Sequence, residues 1–143
     1  MSEPTYPGAP ESFRAGICAI IGLPNVGKST LLNELIGERL SIVTSKAQTT
    51  RQRLLGIYSD DRHQAVFVDT PGLLEPRYAL HQSMQVEIAR ARADADVLLY
   101  VVDLGWGVSV EQARSWEPPA GVPSILCLNK ADRIPADEVA SIE

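Results

Sequence analysis

An unbroken apolar run at residues 16–21, "GICAII", leads directly into the turn-rich octapeptide "GLPNVGKS" at 22–29. A run of this length suits one buried strand, and the glycines, proline and asparagine that follow favour a tight loop. The aliphatic residues between Leu31 and Ile36 share one helical face, and Gly37 supplies a helix stop. The segment therefore predicts a buried strand, a tight loop and a helix in immediate succession.

Three further apolar runs lie at 65–68, 97–103 and 124–128. Short apolar runs without alternation are typical of strands buried on both faces, as in a parallel sheet covered by helices. Apolar residues recur at steps of three and four over 79–95, which predicts a helix lying on the sheet. Two more helices are predicted, from Ser109 and from near Pro135. The alternation of strands and helices places the chain in the α/β class.

One segment breaks this alternation. The strand-like run "LLGIY" at 54–58 is separated only by Ser59–Arg62 from the run that ends at Asp69. A parallel crossover needs a dozen residues or more, so these two strands must be antiparallel. The predicted fold is therefore a three-layer α/β domain with a mostly parallel sheet and one antiparallel edge strand.

Length and composition indicate how many domains the chain can form and in which cellular compartment we expect it. With 143 residues, 45% of them hydrophobic, the chain has room for one domain with a core. Residues 1–14 are rich in proline, so we expect a mobile leader before a domain at 15–143. No window resembles a membrane span or a secretory signal, which favours a cytoplasmic protein. The net charge of −5 argues against a broad nucleic-acid surface but allows one phosphate pocket.

The octapeptide at 22–29 fits the pattern of a phosphate-binding loop, or P-loop, with Gly22, Gly27, Lys28 and Ser29 at its defining positions. Glycines let the backbone curl so that N–H groups point inward, and the following helix N-terminus adds partial positive charge. Lys28 is expected to reach the β and γ phosphates, and the Ser29 hydroxyl to bind Mg²⁺. The alternative is a plain strand-to-helix turn. The predicted nucleotide-binding residues of this segment also include Asn25, Val26 and Thr30.

The second motif is "DTPG" at 69–72, directly after an apolar run. Asp69 is expected to end a strand beside the first one, where its carboxylate can hold Mg²⁺ through water. The Gly72 N–H is expected to bind the γ phosphate. Taken alone, the motif is also compatible with an ordinary turn at a strand end.

The third motif is "NKAD" at 129–132, after the last apolar run. Guanine presents an N1–H and a 2-amino group side by side, and the Asp132 carboxylate can accept from both. Asn129 is expected to brace the P-loop, and Lys130 to lay its alkyl stem along the base. The order of the three motifs predicts binding of GTP and GDP, and it disfavours a P-loop kinase that uses ATP.

Three segments, "GLPNVGKSTLLNELIG", "TSKAQTTRQRLLGI" and "VFVDTPGLLEPR", resemble the translation-factor-related GTPases, and within them the bacterial GTPases of ribosome assembly. The resemblance covers roughly residues 16–134. The string "KAQTTR" separates the chain from the sister GTPases Der and MnmE, whose G domains remain an alternative. The resemblance implies a Ras-like G domain, Mg²⁺-dependent GTP hydrolysis, and a role with 16S rRNA in assembly of the small ribosomal subunit.

The resemblance also implies roles for three further residues. Thr50, in "QTTRQ" at 48–52, matches the switch threonine that joins Mg²⁺ and the γ phosphate, with Thr49 as second choice. Leu73 stands where Ras-like GTPases carry the glutamine that orients the attacking water. In GTPases of this kind a K⁺ ion held partly by the P-loop asparagine supplies positive charge, and the matching residue is Asn25. The alternatives are an exposed polar loop at 48–52 and a purely turn-forming Asn25.

GTPases of this kind continue into another base-contacting loop, a last strand and helix, and an RNA-binding KH domain, whereas this chain ends at Glu143. We therefore expect a G domain that is incomplete at its C-terminal edge. Contact with rRNA, and the peripheral membrane association that the resemblance allows, would belong to residues outside the chain. A guanine-nucleotide-binding module without turnover is the alternative function.

Overall fold

The computed structural model describes residues 13–37, 54–72, 79–106 and 121–137. Within them, the strands are β1 (Arg14–Ile21), β2 (Leu54–Ser59), β3 (His63–Asp69), β4 (Val97–Asp103) and β5 (Ser124–Asn129). The helices are α1 (Lys28–Ile36) and α2 (Ala79–Asp94). Short 3₁₀ turns at Leu104–Trp106 and Ala131–Arg133 follow β4 and β5. Each strand and helix in this set lies where the apolar runs predict it.

The strands form one sheet in the order β2-β3-β1-β4-β5. β1 runs parallel to both β3 and β4, and β5 runs parallel to β4. β2 is antiparallel to β3, which confirms the predicted mixed sheet. In the parallel register Ile20 lies opposite Asp69, and Asp103 lies opposite Asn129. The polar residues that end these strands therefore meet at one edge of the sheet.

Helices cover both faces of the sheet, which confirms the three-layer prediction. On one face Ile20 and Val101 pack with Leu32 of α1. On the other face Ala19 and Ile21 of β1 pack with the α2 residues Ile88 and Ala91, as expected because neighbouring strand residues point to opposite faces.

Helix α1 lies very close to the edge strand β2. A Cβ added to Gly56 would lie 2.9 Å from Leu32 Cδ1 and 3.0 Å from Ile36 Cγ1, so a larger residue at this position would require these two side chains to shift. The predicted apolar face of α1 is narrower than expected, since Leu35 is 39% exposed. The contact through Leu32 and Ile36 leaves Leu35 on the solvent side. Gly37 ends the helix in the left-handed conformation, as predicted.

β2 and β5 are the outer strands of the sheet among the described residues. Leu55 and Ile57 on β2 and Ile125 on β5 are each more than half exposed. The proposed domain limits, including an incomplete C-terminal edge, remain a prediction. Neither helix within the described ranges is long and apolar enough to cross a bilayer.

Some predictions fall on residues outside the described set. They are the leader up to residue 12, Thr50 in the segment 38–53, Leu73, and the helix from Ser109. Residues 136–137 are helical, where a helix was predicted near Pro135, and the description stops there.

Candidate functional site

The P-loop connects β1 to α1 through a backbone that repeatedly leaves the usual conformations. Gly22 and Gly27 have φ values of 155° and 104°, and Asn25 is left-handed with φ 62°. A side chain at Gly22 would overlap the carbonyl oxygen of Val101 on the neighbouring strand β4. The glycines of the motif therefore let the loop curl against the sheet, as a phosphate cradle requires.

Lys28 begins α1 and is buried inside the loop. Its Nζ donates to the carbonyl oxygens of Gly22, at 3.1 Å, and of Leu23, at 2.8 Å. Burial lowers the pKa of Lys28 to about 8, and the nearby Asp69 carboxylate partly opposes this shift by raising the pKa. The ammonium group lies near the N-terminus of α1. Phosphate oxygens, which are negatively charged, would be stronger acceptors for it there than the neutral carbonyl oxygens.

Ser29 and Asp69 come together at the start of α1 and the end of β3. The Ser29 hydroxyl donates to Asp69 Oδ2 at 2.6 Å, and the Asp69 residue is fully buried. The described residues contain no cluster of three or more His, Cys, Asp or Glu that could hold a metal ion. The Ser29 and Asp69 side-chain oxygens are of the type that binds Mg²⁺, which commonly uses one or two protein oxygens and completes its coordination with phosphates and water.

The "DTPG" segment is attached to the P-loop by contacts that the sequence did not reveal. The buried Thr70 hydroxyl donates to the carbonyl oxygen of Ile20 at 2.7 Å. A Cβ on Gly72 would lie 2.7 Å from the backbone nitrogen of Pro24, so the two backbones approach as closely as glycine permits. Gly72 is thus placed beside the loop, where the sequence predicted an N–H for the γ phosphate.

The "NKAD" segment contacts the other side of the P-loop. Asn129 Nδ2 donates to the Val26 carbonyl oxygen at 2.8 Å, across 103 positions of sequence. Lys130 Nζ donates to the Asn25 carbonyl oxygen at 2.8 Å. Asp132 lies in the 3₁₀ turn that follows and is exposed. The "NKAD" segment and the P-loop are therefore in direct contact.

The structure brings together nearly all the residues that the sequence assigned to the site. Thr30 is exposed in the first turn of α1. Asp103, at the end of β4, was missed: its Oδ2 accepts from Lys130 Nζ at 2.5 Å. The only sequence signal was that the run "VLLYVVD" ends in a carboxylate. The assembled residues are Gly22, Asn25, Val26, Gly27, Lys28, Ser29, Asp69, Gly72, Asn129, Lys130 and Asp132, and their roles toward nucleotide remain predictions.

Gly27 provides a test of the contact between the P-loop and Asn129. A left-handed φ costs a non-glycine residue about 1–2 kcal/mol, and a Cβ at Gly27 would also overlap the Asn129 amide. We expect Gly27→Ala to lower the free energy of unfolding, measured in urea, by about 1 kcal/mol more than Gly37→Ala does, because the Asn129 hydrogen bond is lost as well.

Gly37 is the matched control because its φ is also positive, 76°, and nothing lies within 4 Å of an added Cβ. Only Gly27→Ala should also weaken GDP binding. Equal losses of stability and unchanged GDP affinity in both variants would contradict the assigned contact.

These features define a class of protein. A glycine loop curls over the N-terminus of α1, its serine is bonded to a strand-end carboxylate, and a base-reading segment is bonded to the same loop. That combination is characteristic of a P-loop nucleotide-binding domain of the GTPase type. The sequence profile of the family described as "50S ribosome-binding GTPase" matches residues 17–130. The chain belongs to this GTPase family.

Curated relatives confirm the predicted resemblance to ribosome-assembly GTPases. The chain is 45% identical over 142 residues to GTPase Era of Marinobacter nauticus, covering 97% of this chain and 46% of the relative. It is 42% identical over 136 residues to GTPase Era of Neisseria meningitidis serogroup A, covering 94% of this chain and 44% of the relative. The chain thus spans less than half the length of these relatives.

Solved structures give the same result. The chain is similar to Era crystallised in complex with MgGDPNP and nucleotides 1506–1542 of 16S ribosomal RNA, with a TM-score of 0.82 and 39% identity over 91% of this chain and 45% of that chain. The FeoB G-domain of Methanococcus jannaschii is less similar, with a TM-score of 0.57 and 25% identity over 91% of this chain and 82% of that chain. The agreement with Era favours the predicted assignment over the sister GTPases Der and MnmE.

Proposed function

We propose that this chain is the G domain of an Era-type GTPase, which binds GTP and GDP and hydrolyses GTP. The observation that carries the proposal is the hydrogen bond from Asn129 to Val26. It holds the guanine-reading segment against the phosphate loop, so that one nucleotide can contact Asp132 and Lys28 together.

Different residues of the site bind different phosphate groups during phosphoryl transfer. Lys28 and the N–H groups at the start of α1 bind the β and γ phosphates. The Gly72 N–H would bind the γ phosphate, since Gly72 lies against Pro24 of the loop. Positioning and positive charge, more than covalent chemistry, account for the rate of such reactions.

Ser29 and Asp69 are the described residues that would hold Mg²⁺. Their side-chain oxygens already lie 2.6 Å apart, and both are ligand types that Mg²⁺ accepts. The chemistry supplied at that position is neutralisation of the negative charge on the β and γ oxygens. Thr50 is proposed as a further ligand from the resemblance.

Asn25 is proposed to help bind K⁺, because Leu73 cannot orient water as a glutamine does. The left-handed backbone of Asn25 suits a turn-forming role, and its side-chain amide also carries the kind of neutral oxygen that binds K⁺. We expect GTP turnover to be at least about tenfold faster in K⁺ than in Na⁺ at equal ionic strength, a small share of what a fixed charge supplies. Phosphate release measured in the two salts tests this.

The control for that prediction is Asn25→Asp, which keeps an oxygen and accepts a left-handed backbone, beside Asn25→Ala, which does neither. Asn25→Ala should lose most of the K⁺ effect while GDP binding is retained. Equal turnover in K⁺ and Na⁺ by an active preparation would reject the K⁺ site.

The whole protein is proposed to act in ribosome assembly, on 16S rRNA and the small subunit, in the cytoplasm. Support comes from the Era structure that contains MgGDPNP and part of 16S ribosomal RNA, and from the ribosome-binding description of the family. The Era relatives are more than twice as long as the stretch they share with this chain. Contact with rRNA is therefore proposed for the protein as a whole and is assigned to none of the described residues.

The decisive experiment measures GDP affinity, competition by ADP, and GTP turnover on one preparation. Tight GDP binding that ADP does not displace, with turnover that needs Mg²⁺, is the expected result. Binding without turnover would instead support a guanine-nucleotide-binding module. Equal competition by GDP and ADP would overturn the reading of Asp132 and with it the proposed function.

A further inference from the structure

Asp103 lies outside the three sequence motifs, yet both oxygens of its carboxylate accept hydrogen bonds near the site. It ends β4 and is 3% exposed. Its Oδ1 accepts from the Gly105 N–H at 2.9 Å, and its Oδ2 accepts from Lys130 Nζ at 2.5 Å. A buried carboxylate that is bonded through both oxygens has little freedom to move.

Lys130 has an unusual backbone conformation, and its side-chain ammonium group makes two hydrogen bonds. Its backbone is left-handed, with φ 58°, and its Nζ binds both Asp103 and the Asn25 carbonyl oxygen. Within the described ranges, Asn25 and Lys130 are the non-glycine residues with positive φ. One hydrogen bond therefore joins the two left-handed non-glycine positions. Asparagine adopts this conformation readily, whereas at Lys130 it is strained and persists only where surrounding contacts maintain it.

The turn after β4 also supports the turn that contains Asp132. A Cβ on Gly105 would lie 2.6 Å from Cδ of Arg133, so this turn packs tightly under the Ala131–Arg133 turn. Asp103 holds the Gly105 N–H in place with one oxygen and Lys130 with the other. The Asp103 carboxylate thus contacts Lys130 directly, and it also contacts the turn against which Ala131–Arg133 packs.

We propose that Asp103 is a positioning residue for guanine-nucleotide binding, which it serves by fixing Lys130 across the base pocket and against the P-loop. The inference rests on the proposed function. Asp103 itself does not need to touch the nucleotide, because it acts through the lysine. A lysine side chain fixed before binding loses less rotamer freedom when the base arrives, which favours slow release of the ligand.

Asp103→Asn tests the proposal with little change of shape, since asparagine keeps an acceptor for the Gly105 N–H and loses the charge. We expect GDP affinity to fall about tenfold, mainly through faster dissociation, as is usual when one member of a buried charge pair is changed. Stopped-flow release of a fluorescent GDP analogue measures this.

Asp96→Asn is the matched control. The Asp96 carboxylate also accepts a backbone N–H, that of Ile17 at 2.7 Å, but it precedes β4 and lies toward the opposite end of the strands. Its replacement should leave GDP release unchanged. If both substitutions change GDP release equally, the effect is a general loss of stability and the proposal fails.

A double-mutant cycle shows whether Asp103 acts through Lys130. Once Lys130→Met has removed the ammonium group, adding Asp103→Asn should change GDP affinity by less than about twofold, because the two residues form one unit. Two independent losses that multiply in the double variant would overturn the proposal.

A measurement without nucleotide separates this inference from the proposed function. Reductive methylation of Lys130, followed by mass spectrometry, should be several-fold faster in Asp103→Asn than in the native chain or in Asp96→Asn, because in the native chain two acceptors hold Lys130 Nζ in a side chain that is only 23% exposed. Equal labelling rates would show that Asp103 does not hold Lys130, whether or not nucleotide binds. Slow labelling in a native chain that fails to bind GDP would overturn the proposed function and the nucleotide role of Asp103, but not the anchoring contact.

Discussion

Lys28→Ala is expected to abolish detectable GTP binding. The side chain is predicted to supply the positive charge for the β and γ phosphates, and the P-loop contains no other lysine. Lys28 Nζ already lies inside the loop, bonded to the carbonyl oxygens of Gly22 and Leu23. Equilibrium titration with a fluorescent GTP analogue measures the loss. Arg90→Ala is a suitable control, because it removes an exposed cation on α2 that is paired with Glu87.

Full retention of GTP affinity in Lys28→Ala would contradict the P-loop assignment. A lost affinity must also be separated from a lost fold. Lys28→Met keeps the apolar stem and removes only the charge and its hydrogen bonds, so it should remain folded and should also fail to bind GTP.

The same lysine makes a prediction about pH. Burial lowers the pKa of Lys28 from 10.5 to about 8 in the folded chain, mainly by desolvation. Between these two values the unfolded chain binds more protons than the folded chain, so the free energy of unfolding rises with pH. Below pH 8 the buried charge lowers stability by about 3 kcal/mol, and above pH 10.5 this penalty is gone. The nucleotide-free protein therefore carries a charge that is unfavourable until phosphate binds.

Urea unfolding of the nucleotide-free chain and of Lys28→Met at pH 7.5, 9 and 10 tests this. The native chain should gain stability relative to Lys28→Met as pH rises, while other titrating groups cancel in the difference. Parallel pH profiles for the two proteins would show that Lys28 is not desolvated in the folded state.

Asp132→Asn is expected to shift nucleotide preference from guanine to xanthine. Guanine offers two donors to a carboxylate, whereas xanthine replaces the 2-amino group with a carbonyl that needs a donor, which the asparagine amide provides. Sites built around such hydrogen bonds discriminate by about 10⁴ or more. GTP affinity should therefore fall by at least about 10²-fold while XTP affinity rises. Competition of GTP and XTP against one labelled nucleotide measures both changes.

Asp137→Asn is the matched control, since Asp137 is an exposed carboxylate shortly after the base-reading turn. It removes the same charge without facing the base and should leave the preference for GTP unchanged. A chain with Asp132→Asn that still prefers GTP over XTP would show that another residue reads the base.

Much of the fold could be predicted because its signals are local. The apolar runs at 97–103 and 124–128 predicted strands at Val97–Asp103 and Ser124–Asn129. The short connection at Ser59–Arg62 required an antiparallel pair, and β2 and β3 form one. Leu35 belongs to the predicted apolar face of α1 but is 39% exposed, because the neighbouring strand as well as the helix itself decides which residues of such a face become buried.

The candidate site could be predicted to the extent that its motifs are contiguous. In "GLPNVGKS" the glycines and the lysine are neighbours in sequence, so backbone conformation and helix position follow from residue type. Asp103 lies in no motif, and its pairing with Lys130 joins positions 27 residues apart. A carboxylate at a strand end has no local pattern that distinguishes a solvated residue from one that holds a lysine.

The sequence by itself determined the P-loop, the chemical types of the residues that are predicted to read guanine, and the class of the sheet. The sequence also predicted that Asn129 braces the P-loop, but only the tertiary structure identified its acceptor as the Val26 carbonyl. The contacts of Thr70 with Ile20 and of Asp103 with Lys130 were revealed by the tertiary structure alone. The physical reason is separation along the chain. Local conformation depends on residues a few positions apart, whereas these hydrogen bonds form only after the strand order has brought the carboxyl ends of β1, β3, β4 and β5 to one edge.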